Sequence, residues 1–296
     1  MKKFRLGRHI NTVHGFVTAP EYAYRIGCTF FQVFLGPPQQ LIIKQKSDKE
    51  LIEFADELEK YDLEMVIHGG YVINFCQPLE SKLHNLAIKR LVIELNTSQL
   101  IGKRCIGVII HMGKNIKSNN ISDQQAIDNY IQSLKIILSK TPNDTHIILE
   151  TGASQGTEVA SKIDGLDEIY WSLNEKERDR IKFCIDTCHI WATGYDISTA
   201  AGVKKYFDEF NERIGIDKIA CIHFNDSKTN LNSRVDRHED LGYGYIGEKG
   251  LKEVAIFAKK NKIPLLMETP LDSVNMKTNR DITFEEELNK IKAWIK

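Results

Sequence analysis

The 296-residue chain lacks several features that would assign it to a simple class. No apolar run approaches the ~18 residues that a membrane-spanning helix needs. No apolar stretch follows the basic N-terminal residues, as it would in a secretory signal peptide. The chain also has no excess of positive charge, because 40 basic residues balance 40 acidic ones. A protein that merely holds phosphate backbones is usually basic, so nucleic-acid binding here requires a local patch or bound metal.

The six cysteines are scattered and form no CxxC pair. Three of them, Cys105, Cys184 and Cys221, lie in or beside apolar runs. Thiols in such positions are typical of the core of a reduced, intracellular protein, cytoplasmic or nuclear according to its source. The chain also lacks a Gly/Ser linker, a charged tail and a low-complexity segment. We therefore expect one domain over residues 1–296.

Short apolar runs alternate with helix-period segments from end to end. Eight runs predict strands, at residues 4–10, 30–35, 64–68, 107–111, 146–150, 183–186, 219–223 and 264–268. Amphipathic stripes between them predict helices, at residues 51–61, 83–95, 127–138, 251–258 and 284–295. Eight strands separated by helices favour an α/β fold of the (β/α)8 TIM-barrel class. A doubly wound open sheet is the alternative.

Serine or threonine followed three residues later by Glu or Gln predicts where three of these helices begin. The pairs are Ser47 with Glu50, Ser122 with Gln125, and Thr283 with Glu286. Gly102 predicts the end of the helix over residues 83–95. The longest predicted loop covers residues 225–247, and loops of that length usually carry function.

Side chains that can bind metal end six successive predicted strands. They are His68, His111, Glu150, Asp186, His223 and Glu268. The loops after the sixth and seventh strands add His189, Asp236 and His238. Singly, such residues often cap a helix or form an ordinary hydrogen bond. Six polar groups beside apolar runs would be costly without a common role, so we expect all nine at the active-site rim of the barrel.

Nine ligands exceed the four of one tetrahedral zinc and suit two or three ions that share a carboxylate. Five imidazoles favour zinc, or else manganese or iron, over magnesium. Three divalent ions outweigh the four carboxylates of Glu150, Asp186, Asp236 and Glu268 by about two positive charges. Such a cleft should bind an anion. A phosphodiester fits, because clustered ions can activate water and clamp both the attacking and the leaving oxygen.

The remaining histidines are weaker candidates for a site. His9 ends the first predicted strand and can face the same rim. His14 and His84 are expected at the surface or on helices, and His146 begins the fifth strand at the opposite end of the barrel.

Four motifs resemble the endonuclease IV family of zinc-dependent apurinic/apyrimidinic endonucleases. They are IHGGY at 67–71, ETG at 150–152 continuing to Gly156, CIDTCH at 184–189, and HFNDSK at 223–228 continuing to SRVDRH at 233–238. The last two are long and specific, and the resemblance covers nearly the whole chain. All nine candidate ligands fall on positions of the family's metal-ligand motif.

The resemblance implies three zinc ions in a monomeric DNA repair enzyme. Their expected ligands are His68, His111 and Glu150 for the first; Glu150, Asp186, His223 and Glu268 for the second; and His189, Asp236 and His238 for the third. Glu150 would bridge the first two ions, and Glu150 and Glu268 are the expected catalytic carboxylates. A hydroxide would attack the phosphorus 5′ to an abasic site in duplex DNA, leaving a 3′-hydroxyl and a 5′-deoxyribose phosphate. The family also trims blocked 3′ ends.

The resemblance further implies contacts to DNA from Tyr71, Gln39 and Arg237. A sugar without a base is easier to flip out of the duplex, and Tyr71 would fill the gap; the alternative is a core tyrosine beneath the loop. Gln39 and Leu41 stand where the family carries a basic residue and an aromatic residue. The pair Gly69–Gly70 suggests backbone freedom in the loop before Tyr71.

Two other functions remain open at this point. Sugar isomerases and epimerases share the barrel and bind metals at the same rim, but they need only one or two ions. They have no use for the Asp236/His238 pair. A non-catalytic DNA- or metal-binding module is the second alternative, and a complete ligand set argues against it.

Overall fold

Eight parallel strands, rich in Ile, Val, Leu and Phe, surround a common axis in the computed structural model, which describes residues 3–13, 15–270, 274–275 and 277–296. They are β1 (Leu6–Arg8), β2 (Phe30–Val33), β3 (Glu64–His68), β4 (Cys105–Ile110), β5 (Ile147–Glu150), β6 (Ile181–Asp186), β7 (Ile219–His223) and β10 (Leu265–Met267). Each predicted strand is present. Strands β1, β2, β5 and β10 are shorter than predicted.

Neighbouring strands follow one another along the chain, and β10 lies between β7 and β1. The two ends of this order meet: the backbone amide of Thr29 donates to Leu6, and that of Ile10 donates to Gln32, both at 2.8 Å. The sheet therefore forms a nearly closed barrel. The TIM-barrel prediction is confirmed, and the open-sheet alternative is wrong.

Helices surround the barrel, and most of them bury one face. They are α1 (Ala19–Arg25), α2 (Asp48–Lys60), α3 (Lys82–Ile101), α4 (Asp123–Lys140), α5 (Ile163–Trp171), α6 (Glu175–Arg178), α7 (Thr187–Ala192), α8 (Ala200–Arg213), α9 (Gly247–Asn261) and α10 (Phe284–Trp294). Capping boxes begin α2 and α10 as predicted. Ser122 begins α4 by accepting from the amide of Gln125, and Gly102 ends α3. No helix within the described ranges has the length and apolar character to cross a bilayer.

A layer of mainly apolar side chains, the interior layer, lies inside the barrel. It contains Phe30, Val66, Ile109, Ile148, Cys184, Cys221 and Leu266. All six cysteines are buried free thiols. His84 lies on α3 as expected but is buried, with Nε2 2.7 Å from Oγ of Ser133. The expectation for His14 falls outside the described residues.

Two short strand pairs lie beyond the barrel in the described part of the chain, and neither was predicted. Strands β8 (Asp226–Ser227) and β9 (His238–Glu239) pair within the predicted loop over residues 225–247. Strands β11 (Val274–Asn275) and β12 (Arg280–Asp281) pair after β10. Two-residue strands leave too short an alternation to be recognised in the sequence.

Candidate metal centre

The candidate ligands at the strand ends lie together at one rim of the barrel. His68, Glu150, Asp186 and His223 are the last residues of their strands, while His111 and Glu268 directly follow β4 and β10. Side chains alternate along a strand, so a residue two positions earlier points to the same side. For six ligands that residue belongs to the interior layer: Val66, Ile109, Ile148, Cys184, Cys221 and Leu266. The interior layer is therefore the floor of the site.

His189 reaches this rim from a helix. We expected it in a loop, but it lies on α7, where Asp186 caps the helix by accepting from the amide of His189 at 3.0 Å. Asp186 thus keeps one oxygen for the cap and directs the other, Oδ2, toward His223 and His238, at 3.8 and 3.5 Å. The helix-capping role weighed for a strand-end Asp and the ligand role coexist in one carboxylate.

Asp236 and His238 are held over the rim by the segment between β7 and α9. The buried carboxylate of Asp226 accepts hydrogen bonds from the amides of Gly242, Gly244 and Ile246, at 2.9–3.0 Å. The amide of Asp236 donates to Oε1 of Gln155 at 2.9 Å. The long loop is therefore an ordered support.

The nine candidate ligands form three groups, of which the first two share Glu150. In each group the ligand atoms lie within 4.8 Å of one another: His68, His111 and Glu150; Glu150, Asp186, His223 and Glu268; and His189, Asp236 and His238. These are the three expected ligand sets. Oε2 of Glu150 lies 3.4 Å from Nε2 of His68 and 3.2 Å from Nε2 of His111. Its Oε1 lies 2.8 Å from Nδ1 of His223, so Glu150 joins the first two groups.

Backbone carbonyls orient three of the five imidazoles. Nδ1 of His68, His189 and His238 lies 2.8, 2.6 and 3.1 Å from the carbonyl oxygens of Gly69, Thr151 and Glu268 respectively. Donation from Nδ1 leaves Nε2 as the free lone pair, which is how metal-binding histidines are usually fixed. His223 has the opposite orientation: its Nε2 contacts Oε1 of Gln32 at 2.9 Å, so its Nδ1 faces the ligand group.

Three ligand atoms are buried without a hydrogen-bond partner: Oε2 of Glu150, Nε2 of His189 and Nε2 of His238. A buried polar atom without a partner is unusual and unfavourable. All three atoms point into the ligand groups, where a cation would satisfy them. A donor set of imidazole nitrogens and carboxylate oxygens suits divalent transition ions. The residues therefore fit a multinuclear metal centre.

The site is electrostatically coupled. Although burial opposes ionisation, the imidazoles of His111 and His223 hold the pKa of Glu150 well below its usual range. Burial lowers the pKa of His111 to about 4, which keeps this ligand neutral. Burial alone would lower the pKa of His238, but the carboxylates of Asp186 and Asp236 raise it to about 9. A metal ion must displace the proton of such an imidazole, so metal affinity should fall at acid pH.

The predicted DNA contacts lie around the mouth of the site. Tyr71 is 51% exposed, and its ring meets those of Phe34, His68 and His111 edge-on at 5.1–5.6 Å. It is therefore not a core tyrosine. Gln39 and Arg237 are exposed on their loops. A cavity of about 690 Å³ opens between Tyr71, Lys114 and the metal centre.

Several supporting residues were missed in the sequence. Gln32 lies inside the apolar run of β2. Asn225 donates to Oδ2 of Asp186 at 2.8 Å, and the hydroxyl of Thr151 accepts from the amide of Asp186 at 2.9 Å. Gln32 was recognisable, because a lone amide in the run FFQVF interrupts a buried strand.

Comparison with known proteins gives a consistent picture. The family model for xylose isomerase-like TIM barrels matches residues 20–294. A protein of Acanthamoeba polyphaga mimivirus that carries the name putative endonuclease 4 is 62% identical over 292 residues, covering 99% of this chain and 94% of its own. A probable endonuclease 4 of Thermosipho melanesiensis is 32% identical and covers 91% and 93% of the two chains. The crystal structure of endonuclease IV from Thermus thermophilus superposes with a TM-score of 0.79 at 26% identity, covering 98% of both chains.

Proposed function

The chain belongs to the endonuclease IV family, and from that premise we propose that it is a metal-dependent DNA repair nuclease that cuts the phosphodiester 5′ to an abasic site in duplex DNA. The products would be a 3′-hydroxyl and a 5′-deoxyribose phosphate. Trimming of blocked 3′ ends would be a second reaction of the same site.

The position of Glu150 is the observation that carries the proposal. Its two oxygens belong to two ligand groups, and the Asp236/His238 pair adds a third group beside them. Three adjacent cation sites match a phosphodiester, whose attacking, leaving and non-bridging oxygens all need stabilisation. A sugar isomerase or epimerase would leave the third group without a purpose.

In this proposal each ligand group holds one ion, with zinc favoured by the five imidazoles. When bound, the ions would lower the pKa of a water and offset the charge that develops on the phosphate. Glu150 and Glu268 would set the charge of the centre. The carbonyls of Gly69, Thr151 and Glu268 would keep three imidazoles in the metal-binding orientation.

The exposed residues of the mouth would select the substrate. A base-free sugar has lost its stacking and leaves the duplex at lower free energy than a normal nucleotide. Tyr71 stands at the mouth with half of its side chain exposed and would occupy the space left in the duplex. Gln39 and Arg237 would contact the DNA on either side.

The test uses a labelled duplex with one tetrahydrofuran abasic analogue. We expect a single nick that leaves a 3′-hydroxyl, which a DNA polymerase can extend. Elemental analysis of the purified protein should give close to three zinc ions per chain. No nick by the metal-loaded protein, together with turnover of a keto-sugar, would assign it to the sugar epimerases instead.

The variant Glu150→Gln examines the bridging carboxylate. Turnover should fall by at least about 100-fold, because the change removes the charge that two ligand groups share. Glu212→Gln is the matched control, since Glu212 is exposed on α8. An unchanged nicking rate in Glu150→Gln would contradict its role.

A further inference from the structure

Helix α3 carries an ion pair that the metal centre does not use. Nε of Arg90 donates to Oε1 of Glu94 at 2.6 Å, one helical turn away, and neither side chain is exposed to solvent. Both are on the face of α3 that packs against the barrel. A buried ion pair is rarely more favourable than apolar residues of similar volume. Its presence therefore calls for a role other than stability.

One side of the pair fixes the loop after β2. Nη1 of Arg90 donates to the carbonyl oxygen of Pro37 at 3.3 Å and also to that of Gln40. These two carbonyls flank Pro38 and Gln39, so the buried guanidinium holds the loop over residues 36–41 from its inner side. A planar guanidinium presents five N–H donors in a rigid fork, so it can reach acceptors that lie in different directions, whereas the ammonium of lysine is a compact point charge.

The other side of the pair supports the loop that carries Tyr71. A Cβ added to Gly70 would lie 3.1 Å from Cζ of Arg90, and one added to Gly69 would lie 3.3 Å from Oε2 of Glu94. Neither glycine is among the residues with positive φ. Glycine at position 70 therefore allows the chain to pack closely on Arg90, and glycine at position 69 allows it to pack on both β4 and Glu94. This is a different reason from the backbone freedom that we expected.

We propose that Arg90 and Glu94 are positioning residues that hold the loop over residues 36–41 and the Gly69–Tyr71 segment on one buried support. The pair thereby sets the spacing between Gln39 and Tyr71, the two predicted DNA contacts on this side of the mouth. Neither residue belongs to the three ligand groups, and neither is a predicted DNA contact. The effect on DNA binding rests on the proposed function. The coupling of the two loops does not depend on that function.

The test replaces both charges with apolar residues, in the double variant Arg90→Met/Glu94→Leu. Such a replacement usually preserves the fold. Its matched control is Lys204→Met/Asp208→Leu, which removes an exposed pair with the same spacing on α8. Metal content should equal that of the wild type. On the tetrahydrofuran duplex, KM should rise about tenfold or more while kcat changes by less than about threefold, because the loops bind substrate without touching the reacting atoms.

Amide hydrogen exchange of the free protein provides the second measurement. In the double variant, residues 36–41 and 69–73 should exchange faster, both together, while the barrel strands keep their protection. Arg90→Lys keeps the charge but loses the planar guanidinium. The exchange of the same two segments should therefore become faster, by less than in the double variant. This single variant decides the question if the double variant does not fold.

Unchanged KM and unchanged exchange in a folded variant would overturn the proposal. Faster exchange of only one loop would also overturn it, because the coupling of the two loops would be absent. If the wild-type protein does not nick the duplex, the proposed function fails, and the exchange experiment still decides whether the pair couples the loops.

Discussion

Gln32 accepts a hydrogen bond from Nε2 of His223 at 2.9 Å, and this contact decides which nitrogen of His223 faces Glu150. The amide group of Gln32 donates in turn to Oε1 of Glu268 at 2.7 Å and lies 3.0 Å from Nδ1 of His9. One neutral side chain thus orients two ligands of the second group. It also explains how His9, which directly follows β1, faces the site without belonging to a ligand group.

Replacing Gln32 with leucine should weaken metal binding at the second group. His223 would lose the acceptor that fixes its orientation, and loss of such a partner typically lowers metal affinity about 10–100-fold. The measurement is the rate at which a chelator removes zinc, followed with a coloured indicator. Gln99→Leu, at an exposed position of α3, is the control. Equal release rates for the two variants would contradict this account of Gln32.

The variant Asp226→Asn should loosen the support of Asp236 and His238. Asp226 accepts from several backbone amides of the segment before α9, and the amide side chain of Asn offers one acceptor fewer. We expect a loss of about 1–3 kcal/mol in the free energy of unfolding and a lower occupancy of the third metal position. Urea unfolding and zinc per chain are the measurements. Asp56→Asn, on the exposed face of α2, should change neither quantity.

Stability should depend on pH through Glu287. Burial raises the pKa of this carboxyl to about 7, from an ordinary value of 4.5. The folded protein therefore holds a proton that the unfolded chain has lost, so this contribution to the free energy of unfolding is complete below pH 4.5 and declines until about pH 7. The decline should amount to about 1–3 kcal/mol.

In the variant Glu287→Gln the side chain at this position is neutral at every pH. Its free energy of unfolding should therefore lack this decline. Urea midpoints of both proteins at about pH 5, 6, 7 and 8 provide the measurement, with the same metal loading so that the ligands titrate alike in both. The urea midpoint of the variant should rise relative to that of the wild type as pH rises. A constant difference across the range would show that Glu287 does not titrate there.

Removal of the Tyr71 ring should weaken recognition of the abasic site. Tyr71→Ala should raise KM on the tetrahydrofuran duplex by about tenfold, since an aromatic ring stacked on bases contributes about 1–3 kcal/mol. Tyr71→Phe should retain most of the affinity, because the ring and not the hydroxyl fills the gap. Tyr22→Ala, at a similarly exposed position on α1, is the control. An equal effect of Phe and Ala would assign the role to the hydroxyl instead.

The barrel strands were predictable because each is a short apolar run, and six of them end at or directly before a polar residue that can bind metal. The same rule located His68, Glu150, Asp186 and His223, since polar groups at the ends of buried strands stand out in a sequence. Helix α7 was not predictable in this way. All six of its residues are buried, so it has no polar face and no helical period.

The Arg90–Glu94 pair marks a second limit of prediction. Its i,i+4 spacing is typical of an exposed pair on a helix surface. Its burial depends on two loops that belong to other parts of the sequence, and contacts of that kind leave no local pattern. Gln32 lies between these cases, because its position in an apolar run was visible but its partners were not.

The interior layer also constrains how this protein can vary. Cys184 and Cys221, with their sulfurs 3.6 Å apart, lie one pleat below Asp186 and His223. A bulkier side chain at either position would displace the strand end above it, and with it a ligand. The packing of the barrel interior and the placement of two ligands therefore depend on the same side chains, so a substitution selected for tighter packing also moves the candidate metal site.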